Sequence, residues 1–305
     1  MTLRDRYTRQ VRLLVRLLPI VAREPDFALK GGTAINLFVR DFPRLSVDID
    51  LMFLPTYDRP EALAEIDAAM RRIAATVRTE IAGASVAEQV SEETVLRLVV
   101  SAELAQVKIE VSPVLRGVVH EPVVRRVVEA VEESFGFAEA QIVSFEDLYA
   151  GKLVAALDRQ HPRDLFDVRE LLANEGLTDS LREALIVYLL SHNRPMGEVL
   201  SGRIKDLEAE YRDNFEGMTA VAVPIKELIE AQSMLIAELI GGMRDRHREF
   251  LIGFERGEPD WSRLELTHAA DLPAVRWRRL NLRKASAERR AHLVALLEAS
   301  LSRRT

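Results

Sequence analysis

The chain of 305 residues contains no cysteine. Disulfide scaffolds, cysteine nucleophiles and cysteine-ligated zinc are therefore excluded, and a protein of the reducing cytoplasm is expected. Histidine is also scarce. The six histidines are scattered along the chain and do not have the spacing of metal ligands. This pattern argues against a phosphatase or nuclease that holds its metal with histidine.

Long hydrophobic runs are absent as well. The N-terminal segment VRLLVRLLPIVA is interrupted by Arg12 and Arg16, so it is too short and too charged for a signal sequence or a membrane span. Leucines between arginines four residues apart predict an amphipathic helix over residues 4–23. With 48% hydrophobic and 30% charged residues, the composition is that of a folded globular protein, and no membrane partner is expected.

Charge is distributed unevenly along the chain. The net charge is −6, yet residues 261–305 carry ten Lys or Arg against four Asp or Glu. A basic C-terminal segment on an acidic protein indicates a polyanionic partner such as nucleic acid. Within it, VRWRRLNLRK places arginines that can hold phosphates around Trp277, which can stack on a base. The exposed face of a terminal helix would produce the same pattern.

The order of predicted elements indicates two domains. Up to residue 142, helices alternate with strands, which are expected at FALK, SVDIDLMFL, ETVLRLVVSAE and AQVKIEVSP; the last two form a hairpin, and Pro113 ends its second strand. From residue 143 onward the periodicity is helical, beginning at Ser144 and Asp147, a helix N-terminal signature. We therefore predict an α/β domain over 1–142 and an α-helical domain over 143–305.

Two carboxylates interrupt the most strand-like segment, SVDIDLMFL. Asp48 and Asp50 share one face of the strand, about 6.6 Å apart along it. Carboxylates that are buried or half-buried are costly unless they are paired or ligate a metal. In QVKIEVSP, Lys108 and Glu110 share the polar face, so Glu110 can complete a three-carboxylate Mg²⁺ site, with Lys108 to neutralise it or to contact phosphate. Two half-exposed strands with their acids in water are the alternative.

The pair Gly31-Gly32 lies between a predicted strand and a predicted helix. Backbone amides at a helix N-terminus bind anions, and glycine lets a phosphate approach the backbone closely. The turn therefore predicts a cradle for a triphosphate, although a plain turn also accounts for two glycines. The side chains that can assist it with a hydroxyl or a positive charge are Lys30, Thr33, Arg44 and Ser46.

A second polar group occurs in KLVAALDRQHPRDLFDV, residues 152–168. Four side chains fall within about 80° of one another on an ideal helix: Lys152, Arg159, Arg163 and Asp167. Pro162 is expected to interrupt that helix. The lysine and arginines can bind a triphosphate or an acceptor phosphate, with Asp164 or Asp167 fixing them in place. A solvated amphipathic face is the alternative.

Together these motifs resemble a known enzyme family. LKGGTAINLF…RLSVDIDL, VKIEV and KLVAALDRQHPRDLFDV are similar to segments of the AbiEii/AbiGii family, the MenT-like nucleotidyltransferase toxins, within the DNA polymerase β-like superfamily. Beyond residue 175 no motif carries the resemblance. It implies an α+β fold, in which a polymerase β-like core of mixed sheet flanked by helices precedes an α-helical domain that completes the active-site cleft.

The resemblance also implies a function. A toxin of a type IV toxin–antitoxin system would transfer NMP from an NTP to the 3′ end of tRNA and block translation, with a cognate antitoxin as partner. Two Mg²⁺ ions, or Mn²⁺ in their place, would be held by Asp48, Asp50 and Glu110. The lysine and aspartate that the family needs for activity match Lys152 and either Asp164 or Asp167. Transfer to a protein side chain, or a catalytically silent module that binds nucleotide or RNA, are the alternatives.

Overall fold

The computed structural model describes residues 3–201 and 205–302. The chain forms two compact units, one made of residues up to Ser144 together with Gly217–Ala222, and the other of Phe145–Glu216 together with residues from Val223 onward. The first unit ends two residues beyond the predicted boundary, and it takes in a short segment that the sequence pattern assigned to the helical domain. The functional role of each unit stays a prediction.

A mixed β-sheet forms the centre of the first unit. The elements of this unit are α1 (Leu3–Val21), β1 (Phe27–Lys30), α2 (Gly31–Ala34), β2 (Asp48–Phe53), α3 (Arg59–Glu80), β3 (Ser85–Ser91), β4 (Thr94–Ala102), β5 (Ala105–Arg116), β6 (Val123–Arg126), α4 (Glu129–Phe135) and β7 (Glu139–Ile142). The strands lie in the order β3-β4-β5-β2-β1-β7-β6. β2 is parallel to β5 and β1 to β7, and the other neighbours are antiparallel. The predicted α+β class is confirmed.

Several strands differ from the prediction. Pro113 does not end β5, which continues to Arg116 past an irregularity in its pairing with β2. A proline is tolerated there because the hydrogen-bond ladder is already interrupted. The sequence pattern missed β3, β6 and β7. β3 is largely exposed and lacks an apolar alternation, β6 is exposed throughout, and β7 has only two buried residues.

The alternation of β2 determines which of its side chains are buried. Ile49 and Leu51 are fully buried, whereas Asp48 and Asp50 on the opposite face are half-buried. α1 packs against β5 and α3 packs against β4. Because burial of apolar surface stabilises these contacts, the isoleucine and leucine remain inside and the two carboxylates project from the other side of the sheet.

The second unit is helical in its described residues. Its helices are α5 (Phe145–Asp158), α6 (Pro162–Asn174), α7 (Asp179–Leu190), α8 (Met196–Val199), α9 (Glu208–Asn214), α10 (Ile225–Gly241), α11 (Asp245–Arg256), α12 (Pro273–Lys284) and α13 (Ala287–Leu301). As the sequence indicated, α5 begins directly after Ser144. It packs against α6 and α7. No helix in the described part of the chain is long and apolar enough to cross a membrane.

Candidate active site

One row of residues crosses the sheet of the first unit. Glu110 of β5 lies opposite Asp50 of β2, and Asp50 lies opposite Lys30 of β1. On its other side, Glu110 lies opposite Arg97 of β4. Paired residues of neighbouring strands share a face, so these side chains project from the same side of the sheet. The register therefore brings Glu110 next to one of the two aspartates, while its role as a ligand stays a prediction.

Each aspartate of β2 has a lysine opposite it on a neighbouring strand. Lys30 of β1 is the partner of Asp50, and Lys108 of β5 is the partner of Asp48. Opposite charges at paired positions stabilise a sheet, whereas like charges destabilise it. The two lysines thus offset the charge of two carboxylates on one strand, and Lys108 is exposed to solvent.

The carboxylate of Glu110 is engaged by an arginine. Arg97 Nε lies 2.5 Å from Glu110 Oε1, and Arg97 Nη1 donates a hydrogen bond of 3.1 Å to Gln89 Oε1. Carboxylate oxygens are the ligands that Mg²⁺ prefers, so Asp48, Asp50 and Glu110 fit a divalent cation in their chemistry. Within the described residues, however, no three His, Asp or Glu side chains lie close enough together to hold an ion. The three-carboxylate site stays a prediction.

The glycine turn lies directly against Asp50. Gly31 has a φ of +74°, and a Cβ built on it would lie 2.5 Å from Asp50 Oδ2. A Cβ on Gly32 would lie 2.7 Å from Arg44 Nη2. α2 begins at Gly31, and Lys30 at its N-cap makes no side-chain capping hydrogen bond. The structure therefore brings together the turn, one carboxylate of β2 and the guanidinium of Arg44.

Gly31→Ala is expected to lower nucleotidyl transfer by about a hundredfold, because a displacement of about 1 Å in a reacting group has that effect. The new methyl group would displace the Asp50 carboxylate, and alanine would also be strained at this positive φ. Gly83→Ala is the matched control, because Gly83 has a similar positive φ of +70° but open space where the methyl group would lie. Initial rates of label transfer check the pair, and equal losses in both variants would contradict the prediction.

The hydroxyls of Thr33 and Ser46 have partners inside the protein. Thr33 Oγ1 lies 3.0 Å from Ser46 Oγ and donates to the backbone oxygen of Asp48. Both residues are buried. Asn36, which the sequence analysis did not select, donates from Nδ2 to the backbone oxygen of Gly32 over 2.8 Å. These contacts tie the glycine turn to the start of β2, so they position Asp48.

In the second unit, Lys152 of α5 forms a buried ion cluster with two aspartates of α6. Its Nζ lies 2.8 Å from Asp164 Oδ1 and 3.0 Å from Asp167 Oδ2. The lysine side chain is 7% exposed, and the aspartates are 2% and 1% exposed. A buried charge requires a paired partner. The sequence left open which aspartate fixes Lys152, and the structure pairs it with both.

The four residues predicted to share one helix face do not lie on one helix: Lys152 is on α5, Arg163 and Asp167 are on α6, and Arg159 is in the turn between them. α5 ends at Asp158 and α6 begins at Pro162, the proline that was expected to interrupt the helix. Arg159 Nε lies 2.6 Å from Asp164 Oδ2, while 63% of the arginine side chain is exposed. Among the described contacts, the side chain of Arg163 forms no ion pair, and its backbone N–H donates to His161 Nδ1 over 3.1 Å.

Asp164 is held in its ionised form. Burial raises its pKa, but the charge of Lys152 and the hydrogen bond from Arg159 outweigh burial, so the pKa lies well below the ordinary value. The carboxylate therefore keeps its charge at neutral pH and anchors one end of the exposed Arg159 guanidinium. This arrangement suits a cation that contacts phosphate.

His161 is expected to make stability fall as pH falls from about 6.5 to about 4. Burial, followed by the charge of Arg163, lowers its pKa from 6.5 to about 4. Neutral His161 accepts the N–H of Arg163 at Nδ1 as the N-cap of α6, and its Nε2 lies 2.9 Å from Glu210 Oε1. Because the unfolded chain takes up a proton first, about 1–3 kcal/mol of stability is lost across this window.

His161→Asn tests this effect, since asparagine can keep the N-cap bond but does not titrate. The difference in unfolding free energy between wild type and variant is measured by urea denaturation from pH 7 to pH 4. As pH falls, the variant should become more stable relative to wild type. A difference that stays constant over this range would contradict the prediction.

Two comparisons with known proteins identify the class. The fold matches that of MenT4, a nucleotidyltransferase toxin from Mycobacterium tuberculosis H37Rv, with a TM-score of 0.59 and 15% sequence identity, over 95% of this chain and 93% of that chain. A search of curated proteins found no match. The fold is thus that of a nucleotidyltransferase toxin.

The profile of the family described as nucleotidyl transferase AbiEii toxin, type IV toxin–antitoxin system, matches residues 12–278. The chain belongs to this family, and it is a nucleotidyltransferase. The resemblance seen in the sequence motifs is confirmed. Membership implies an NTP as substrate and an antitoxin as partner.

Proposed function

We propose that the protein transfers a nucleoside monophosphate from an NTP to the 3′ end of tRNA, with Mg²⁺ as cofactor. The observation that carries this proposal is the strand register, which places Asp48, Asp50 and Glu110 on one face of the sheet, with Asp50 against Gly31. Carboxylates beside an amide-rich glycine turn combine a cation site with an anion site, as a metal-bound triphosphate requires. Family membership supports the transfer itself.

In this reaction the 3′-hydroxyl oxygen attacks the α-phosphorus, the bond to the β-phosphate oxygen breaks, and pyrophosphate leaves. Asp48, Asp50 and Glu110 would hold Mg²⁺, which supplies positive charge at the reacting phosphate. Glu110 is also our candidate to accept the hydroxyl proton. Arg44, whose guanidinium lies against Gly32, would hold triphosphate oxygens together with the amides of the turn.

We infer that Arg159 of the second unit can bind a substrate phosphate. That guanidinium is largely exposed and is fixed at one end by Asp164, so it can contact a phosphate without losing much freedom. Lys152 is buried against Asp164 and Asp167, and we assign it a positioning role. Arg163 would add charge at the start of α6.

The acceptor proposal is supported by α12. Trp277 is 58% exposed and Leu280 is 41% exposed, and Arg283 and Lys284 of the same helix are exposed too. A stacking platform flanked by cations is the usual surface for single-stranded nucleic acid. Arg278 does not belong to this surface, because it is bonded to Glu255 and to two backbone carbonyls. Residues 303–305 of the basic segment lie outside the described residues.

Label transfer tests the proposal. The full chain is incubated with Mg²⁺, total tRNA and each of the four labelled NTPs in turn, and Asp48→Ala is treated identically. Wild type should move label onto tRNA, and the variant should move none. A ribosomal RNA of similar length serves as the control acceptor.

The other outcomes separate the rival functions. Label on the protein fraction would show that the acceptor is a protein side chain rather than RNA. Shortened RNA would indicate a nuclease. If neither label transfer nor cleavage occurred with any NTP, the protein would be a binding module and the proposal would be wrong.

A further inference from the structure

Arg97 occupies a distinctive position in the row that crosses the sheet. Its partner on β5 is Glu110, and the partner of Glu110 on β2 is Asp50. Arg97 therefore lies next to the one carboxylate of the proposed metal site that comes from a different strand. Both members of the ion pair are partly exposed, at 44% for Arg97 and 32% for Glu110. Neither is locked inside the core.

A positively charged side chain such as Arg97 is expected where carboxylates lie close together without a metal cation. Like charges at neighbouring strand positions repel, and the guanidinium offsets the charge of Glu110 beside Asp50. A metal ion would supply the same compensation. Arg97 and the ion therefore compete for one carboxylate.

Arg97 also has a second anchor. Its Nη1 donates to Gln89 Oε1 on β3, over 3.1 Å, from the side away from Glu110. If the bond to Glu110 opens, the arginine keeps a partner. An exposed ion pair contributes little to stability, so metal binding can open it.

We propose that Arg97 is a positioning residue that holds Glu110 in the metal-free protein and releases it when the divalent cation binds. This proposal rests on the proposed function, because it takes Asp48, Asp50 and Glu110 as the ligands. Arg97 thereby sets how much metal is needed to assemble the site. It is not itself a ligand or a contact of the reacting atoms.

Mn²⁺ binding to the nucleotide-free full chain, measured by calorimetry, tests this role. Arg97→Gln should bind Mn²⁺ roughly three- to tenfold more tightly than wild type, since the competing charge is gone and the amide leaves Glu110 free. Arg97→Lys, which keeps the charge, should lie between the two. Arg16→Gln is the matched control, because Arg16 forms a similarly exposed pair with Glu103 over 2.8 Å on the same unit. Its Mn²⁺ affinity should equal that of wild type.

A second readout is the Mg²⁺ concentration that gives half-maximal label transfer. It should fall in Arg97→Gln, while the rate at saturating Mg²⁺ stays within about twofold of wild type, because Arg97 does not contact the reacting groups. A variant that is merely less stable would not bind metal more tightly.

Failure of the proposed role of Arg97 can be distinguished from failure of the proposed metal site. If Asp48→Ala weakens Mn²⁺ binding but Arg97→Gln binds it no more tightly than wild type, the role of Arg97 is wrong and the proposed metal site stands. If Asp48→Ala leaves Mn²⁺ binding unchanged, the metal site itself is wrong. Tighter binding in Arg16→Gln as well would also overturn the proposal, because the effect would then be one of net charge alone.

Discussion

Asp50→Asn is expected to lower nucleotidyl transfer by roughly a thousandfold, the upper range for loss of one group that stabilises charge at a reacting centre. Asparagine has nearly the same size and can occupy the half-buried site, so β2 should keep its pairing with β1 and β5. What is lost is the negative charge beside the Gly31 turn, which a divalent cation would require.

The measurement is the initial rate of label transfer at saturating NTP and Mg²⁺, together with the thermal unfolding midpoint. Asp26→Asn is the matched control, because Asp26 is an exposed aspartate just before β1. It should keep the wild-type rate. A rate for Asp50→Asn above a tenth of wild type would contradict our assignment of Asp50, provided that its unfolding midpoint is unchanged.

Lys152→Met is expected to destabilise the full chain by about 3 kcal/mol or more, the effect of removing one partner from a buried ion pair. The two aspartates it contacts are 2% and 1% exposed, so neither can be solvated when the ammonium is gone. Arg159 would still bind Asp164, whereas Asp167 would lose the ammonium that lies 3.0 Å from its carboxylate. Methionine fills most of the volume, so the loss is electrostatic.

Urea denaturation of the variant measures this loss, and Lys226→Met is the control. Lys226 pairs with Glu230 on the surface of α10 and is 85% exposed, so its removal should change stability by less than about 0.5 kcal/mol. Adding Asp167→Leu to Lys152→Met should recover part of the stability, since a buried carboxylate that had lost the ammonium is then absent. Equal effects of the two lysine variants would refute the prediction.

The strands that carry the proposed site could be read from the sequence because their signal is local. Side chains alternate with a period of two, so SVDIDLMFL and QVKIEVSP each separate a buried face from a polar one without reference to the rest of the chain. Asp48 and Asp50 are accordingly on the half-buried face of β2, opposite Ile49 and Leu51. β3, β6 and β7 were missed because none of them has a long run of alternating apolar and polar residues.

The partners of these side chains could not be read in this way. Arg97 stands in a segment that was correctly predicted to be a strand, yet its pairing with Glu110 depends on the register between β4 and β5. The hydroxyls of Thr33 and Ser46 are predicted to assist a ligand, and the sequence could not show that they contact each other or that Thr33 donates to the backbone of Asp48. A polar residue in a motif does not disclose whether its partner is a ligand or the protein.

The amino-acid sequence by itself determined the family, the α+β class, the face of β2 that carries its aspartates and the position of the glycine turn, because each of these is set by neighbours within a few residues. Only the tertiary structure decided that Arg97 holds Glu110, that Lys152 is shared by Asp164 and Asp167, and that Asp50 lies against Gly31. These contacts join residues that are far apart in the chain. They form only when strand register and helix packing have been fixed by burial of the whole core.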